Sequence, residues 1–266
     1  MKKYVNLFVF VFMIGACLSQ GRAQTKSAVS YKNPVVDIAM PDPTVIKAAD
    51  GYFYVYATES TRNVPIMKSK DLVEWTYCNT AFTNKTRPRF EPKAGIWAPD
   101  INYINGKYVL YYAMSVWGGE QTCGIGVATA NSPQGPFTDH GKMFRSNEIG
   151  VQNSIDPSLL QYEGRNYLVW GSFRGIYVIE LTTDGLSIMP GAKKKRIAGT
   201  AFEAVYIHKH DDYYYMFASI GSCCQGVKST YKVVVGRSKK VWGPYKDKTG
   251  KPMLKNGYSL VIGAND

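Results

Sequence analysis

"DPSLLQYEGRNYLVWGS", residues Asp156–Ser172, begins with a carboxylate and continues as an apolar strand. It turns at Glu163-Gly164 and closes as an aromatic strand with a small-residue end. Three other stretches share that order: "DPTVIKAADGYFYVYATES" from Asp42, "DINYINGKYVLYYAMS" from Asp100 and "EAVYIHKHDDYYYMFAS" from Glu203. Their leading acids are 58, 56 and 47 residues apart. The connecting sections repeat too. "GVATANSPQGPFTDHG" and "VVVGRSKKVWGPYKDKTG" each take a strand into a Gly-Pro-aromatic turn. "MKSKDLVEWT" and "GIYVIELTTDGL" hold the corresponding places in the other two units. Each unit therefore reads as two hairpins, four strands in all.

Short apolar alternation, abundant Tyr and Val, and punctuation by Gly, Pro and Asn predict an all-β chain. Four-stranded units repeating at this length predict the blades of a β-propeller around a central channel. The innermost strand of each blade lines the axis, so acids that open successive inner strands converge at one mouth. Like charges brought together away from water repel, and folding gains nothing from the arrangement. Acid–base chemistry gives it a reason.

The 266 residues suit one all-β domain preceded by a leader. Lys2 and Lys3 precede the apolar run "LFVFVFMI" (Leu7–Ile14), the pattern of a secretory signal, too short for a membrane span. Residues 1–23 are read as signal peptide and 30–266 as the propeller domain. "GRAQ" allows cleavage after Ala23. "IGAC" offers a loose lipobox with lipid on Cys17, disfavoured by Ile14 at its start. The expectation is a secreted or periplasmic protein rather than an outer-membrane lipoprotein. The formal charge is +12, and loss of Lys2, Lys3 and Arg22 with an acid-free leader leaves +9. The basic residues are scattered apart from "KKKR" (Lys193–Arg196), read as a solvated loop rather than a contact with acidic polysaccharide. No nucleic-acid partner is expected, and the chain is taken as a monomer. Cys78, Cys123, Cys223 and Cys224 show no metal-type spacing.

"MPDPTVI", "GIWAPDI", "VQNSIDPSLL", "FEAVYI" and "GSCCQGVKSTYKVVVGRS" together resemble glycoside hydrolase family 43, in particular its endo-α-1,5-L-arabinanases. The resemblance spans about residues 33–250. It implies a five-bladed propeller, an exported inverting hydrolase, and arabinan, a pectin side chain, as the polysaccharide partner. Exo-acting α-L-arabinofuranosidases or β-xylosidases of the same architecture are the first alternative, and a non-catalytic sugar-binding propeller is the second. The resemblance also implies roles. Asp42 would be the general base, Glu203 the general acid, and Asp156 the carboxylate that tunes and orients Glu203. Inversion suits two carboxyls roughly 6.5–9.5 Å apart with water between them. Their proton affinities must also be pushed apart.

For substrate contact, Trp97 is expected to stack on a sugar ring, the alternative being a core Trp between blades. Asn153, Ser154, Ser172 and Phe173 are expected to meet sugar hydroxyls, and Gly118 to allow close approach. Asp100 carries no implied catalytic role and is read as a hydrogen-bond partner at a strand start. "HKH" (His208–His210) is read as a solvated turn.

The chain departs from the family pattern in three places. Val205 stands where Pro is usual. "GSFRGIYV" (Gly171–Val178) is shorter than in many endo enzymes. The sequence gives four repeats and no Gly-Pro-Gly-His segment, whose His helps hold calcium in relatives. These departures lead to an expectation of about four blades present, calcium in the full-length protein only, and weak stability and activity for the chain alone.

Overall fold

The computed structural model describes residues 31–263. The expected signal segment, its expected cleavage site and Cys17 lie outside the described residues. Sixteen strands form four antiparallel sheets, each a meander in chain order. The first holds β1 (Thr44–Lys47), β2 (Phe53–Tyr56), β3 (Pro65–Ser69) and β4 (Trp75–Thr80). The second holds β5 (Gly95–Ile104), β6 (Lys107–Ser115), β7 (Gly124–Ala130) and β8 (Thr138–Arg145). The third holds β9 (Ser158–Tyr162), β10 (Arg165–Trp170), β11 (Ile176–Glu180) and β12 (Lys195–Ala198). The fourth holds β13 (Glu203–His210), β14 (Tyr213–Ile220), β15 (Lys232–Ser238) and β16 (Ser259–Gly263). The four sheets coincide with the four sequence copies, as the repeats predict.

Apolar side chains lock neighbouring blades face to face. Tyr56, Ile66 and Phe82 of the first sheet region pack with Ile96, Leu110 and Tyr112 of the second. Tyr111, Ile125 and Phe144 pack with Leu168, Trp170 and Ile179 of the third. Val169, Ile176 and Val178 pack with Phe202, Met216 and Val234 of the fourth. Burying each such side chain favours folding by about 1.5–3 kcal/mol. A cavity of about 870 Å³ runs between the innermost strands β1, β5, β9 and β13.

The ladder registers correct the alignment of the four acids. Asp42, Ala98, Asp156 and Ala204 share one backbone feature, a positive φ of 50°, 41°, 57° and 51°. Pro follows the first three, and Val205 follows the fourth. Side-chain bonds between blades repeat in the same register. Thr44 Oγ1 accepts from the Ile101 amide at 3.3 Å, and Asp100 Oδ2 accepts from the Leu159 amide at 2.7 Å. Asp100 thus corresponds to Thr44 and Ser158, two residues beyond the position of Asp42 and Asp156. Trp97 and Glu203 also correspond, because each lies opposite a second-strand residue (Ala113, Ser219) across a two-residue bulge. The acids occupy three different levels of the inner strand.

That offset explains Asp100. Its carboxylate sits between β5 and β9 and also accepts from Asn102 Nδ2 at 2.7 Å. Burial pushes its carboxyl up to about 6, against the hydrogen bonds from Leu159, Asn102 and Thr44. It joins blades, the structural role expected of it.

Candidate active site

Asp42 and Asp156 stand two residues before the starts of β1 and β9, and Glu203 is the first residue of β13. Left-handed backbone at Asp42 and Asp156 turns each carboxylate out of the pleat that follows. Asp tolerates this region better than most residues, and such departures gather where function demands a geometry.

Every carboxylate has an assigned donor. Thr58 Oγ1 donates to Asp42 Oδ2 at 2.5 Å and accepts from the Ala98 amide at 2.7 Å. The Ala204 amide donates to Asp156 Oδ2 at 3.1 Å. Ser172 Oγ donates to Glu203 Oε2 at 2.7 Å, and the Tyr231 hydroxyl donates to Glu203 Oε1 at 2.8 Å. Thr58 and Ser172 are counterparts. The residue after each, Glu59 or Phe173, donates its amide to the carbonyl of the next blade, at Ile96 or Phe202. One hydroxyl orients Asp42 on its own blade; the other reaches across to Glu203.

The three acids lie within electrostatic reach of one another. Burial first, then the charges of Glu203 and Asp42, push the Asp156 carboxyl well above the usual range, with the Ala204 amide opposing. Burial also raises Glu203. The hydrogen bonds from Ser172 and Tyr231 oppose that rise, and the charge of Asp42 adds to it. Mutual repulsion therefore acts on Asp156, from Glu203 and Asp42, and on Glu203, from Asp42.

An aromatic surface adjoins the acids. One side of Trp97 packs on Ala113, Cys123 and Ile155. Its ring centroid is 5.5 Å from that of Trp117, which is 78% exposed. Gly95 makes room for this: a Cβ there would fall 2.4 Å from Trp97 Nε1. Trp117 was missed in the sequence reading. A Trp followed by a Gly pair, Trp117-Gly118-Gly119, is the signal that the sequence carries. Gly118, at φ +81° with open space around its Cα, lines a cavity of about 510 Å³ with Glu120, Gln152 and Arg174.

Two expected sugar contacts take other roles. Ser154 is fully buried. Its amide donates to Ser146 Oγ, its hydroxyl donates to the Val151 carbonyl, and it accepts from Trp170 Nε1. It buttresses the loop before Asp156 and cannot touch a ligand. Ser172 is buried as well; it accepts from Asn153 Nδ2 at 2.9 Å and spends its own proton on Glu203. Asn153 and Phe173 remain half-buried. His208 and His210 are exposed on the hairpin of the fourth sheet, away from the acids.

Among the described residues no group of three or more His, Cys, Asp or Glu side chains is arranged to hold a metal ion. Lys47 and Lys209 line the axial cavity. The described residues therefore do not fit the calcium that the family resemblance implies, and no step below is routed through a metal.

Residues 31–261 match the family described as Glycosyl hydrolases family 43. The chain belongs to glycosyl hydrolase family 43. It is 38% identical over 239 residues to the extracellular endo-α-(1→5)-L-arabinanase 1 of Bacillus subtilis, covering 85% of this chain and 73% of that protein. It is 36% identical over 253 residues to the extracellular exo-α-(1→5)-L-arabinofuranosidase ArbA of Cellvibrio japonicus, covering 84% and 71%. Among solved structures, this family 43 chain superposes on Cellvibrio cellulosa α-L-arabinanase complexed with arabinohexaose. The TM-score is 0.77 and the identity 33%, over 85% of this chain and 79% of the other.

Proposed function

We propose that this protein hydrolyses α-1,5-linked L-arabinan by single displacement with inversion, cutting within the polymer. The observation that carries the reading is the shared electrostatic environment of Asp42, Asp156 and Glu203. Such a trio is costly to fold and useful for moving protons. Asp42 has one oxygen anchored by Thr58, so the other is free to take a proton from attacking water. Glu203, raised by burial, gives a proton to the departing sugar oxygen. Asp156 holds the Ala204 amide, which fixes the backbone beside Glu203. Trp97 and Trp117 form the apolar floor for sugar rings, with Asn153, Phe173 and Gly118 around it.

Export and arabinan as partner are supported by the Lys2-Lys3 leader pattern and by relatives named extracellular arabinan-degrading enzymes. The test is digestion of linear arabinan, followed by chromatography and by NMR of the first-formed anomer. Mixed oligosaccharides of inverted configuration support the reading. Single arabinose units alone indicate exo action. Binding without turnover, or retained configuration, overturns it.

A further inference from the structure

Cys223 and Cys224 follow one another in the loop between β14 and β15, and nothing above uses them. Along an extended strand adjacent side chains point to opposite faces. Cys224 leaves that pattern, with a φ of +66°. The bend leaves Cys224 close enough to raise the Cys223 thiol. Cys223 is half-buried and Cys224 exposed.

The loop is a fixed one. The Ser222 amide donates to Thr230 Oγ1 at 3.1 Å, and the Thr230 amide returns a bond to the Ser222 carbonyl at 3.0 Å. Both ends of the loop touch Glu203. Ser219 lies opposite it across the ladder, and Tyr231 donates to it. Burial, then Cys224, then the charges of Glu203 and Asp42 push the Cys223 thiol up to about 12. The other two described cysteines are placed differently: Cys123 is buried behind Trp97, and Cys78 is on β4 at the outer edge of the first sheet.

We propose that Cys223 and Cys224 form a reversible vicinal disulfide at the rim of the carboxylate site, made by exchange with a low-molecular-weight disulfide. The exposed Cys224 thiolate attacks one sulfur of the reagent, R–S–S–R. That S–S bond breaks, and the departing thiolate takes up a proton to become R–SH. Cys223 then loses its proton, attacks Cys224 Sγ and expels the second R–S⁻, which is protonated in turn. The protein loses two hydrogens, and the reagent is reduced to two thiols. Adjacent Cα atoms lie about 3.8 Å apart, below the usual disulfide range of about 4.4–6.8 Å. The ring is therefore strained and reopens more readily than a structural disulfide. That makes it a reversible modification of the loop that holds Tyr231 against Glu203.

The test incubates the purified protein with oxidised glutathione, alkylates the remaining thiols, and maps peptides by mass spectrometry. The expected result is a peptide carrying Cys223 and Cys224 that has lost two hydrogens, resists alkylation and regains both thiols in excess reduced glutathione. C224S is expected to stay unmodified and C223S to stop at one glutathione adduct. Both variants place a hydroxyl at the loop surface and leave the β14–β15 ladder intact. Alkylation of both cysteines after oxidation overturns the proposal. So does a wild-type protein that stops at a mixed disulfide, linkage to Cys78 or Cys123, or a bridge that excess glutathione does not open. None of these readouts depends on arabinan hydrolysis, so failure here is separate from failure of the proposed function.

Discussion

The Ala204 amide donates to Asp156 Oδ2 at 3.1 Å, which ties the carboxylate of one blade to the residue beside the carboxylate of the next. This bond from Ala204 to Asp156 is a junction between blades as well as a part of the site. Two neighbouring charges and burial act against ionised Asp156, and this single amide acts for it.

Asp156→Asn should therefore stabilise the fold while removing activity. A carboxyl raised in the folded state stabilises at low pH, and that contribution is lost as pH climbs above the unfolded value of about 3.9. Asparagine carries no such penalty and can still accept the Ala204 amide. Calorimetry should show a higher Tm than the parent at pH 7 and a vanishing difference near pH 3–4. A lower Tm at pH 7 would contradict the direction of the Asp156 shift.

Glu203→Gln and Asp42→Asn should each lower arabinan hydrolysis by about 10²–10⁴-fold. The two should separate on an aryl arabinofuranoside, whose leaving group needs little protonation. There Glu203→Gln recovers most of its loss and Asp42→Asn does not. Equal losses of the two variants on both substrates would refute the division of roles.

Tyr231→Phe removes a hydrogen bond that holds Glu203 down. Glu203 should then keep its proton to higher pH. The alkaline limb of the kcat/KM profile moves upward, while the acidic limb stays in place. A limb that moves downward would mean that Tyr231 does not act on the ionised form of Glu203.

Asp100, raised to about 6, gives the fold a second pH dependence. Its contribution is complete below the unfolded value of about 3.9 and is lost as pH rises through 6. The shift corresponds to about 3 kcal/mol at most, since Asp100 also borders the axial cavity. Asp100→Asn should flatten the fall in stability between pH 4 and pH 6 measured by urea unfolding, while hydrolysis changes little. A parent protein whose stability rises across that interval would reverse the sign.

Trp117→Ala should raise KM severalfold and leave kcat and Tm close to the parent values, because Trp117 is 78% exposed. Trp97→Ala should lower Tm as well, since Trp97 also packs on Ala113, Cys123 and Ile155. An unchanged KM in Trp117→Ala would remove it from the sugar surface.

The repeat made the architecture legible from the sequence alone. Period-two apolar strands and recurring Gly-Pro-aromatic turns are local, and each copy corroborates the others. The register was not legible. Asp100 looks equivalent to Asp42 and Asp156 because acid precedes an apolar run in each. Only the bulge in β5 and the positive φ at Ala98 show that it sits two residues further along. Side-chain direction was also hidden. Ser154 and Asn153 are neighbours in sequence, yet one is sealed under Trp170 and the other borders the site. Ser172 and Tyr231 reach Glu203 from the loops after β10 and before β15, so no spacing along the chain reveals them.

The two-residue stagger between Asp42 and Thr44, or between Ala98 and Asp100, separates labour by storey. The upper ring of inner-strand positions faces the mouth and carries the chemistry, with the Ala204–Asp156 bond as its tie between blades. The lower ring clips the first wedge to the second and the second to the third, each through one side chain and one amide. Substitution in the upper ring that keeps an acceptor for the Ala204 amide can therefore retool what the mouth acts upon without loosening a seam. The same change moved two places along the strand would unfasten a seam.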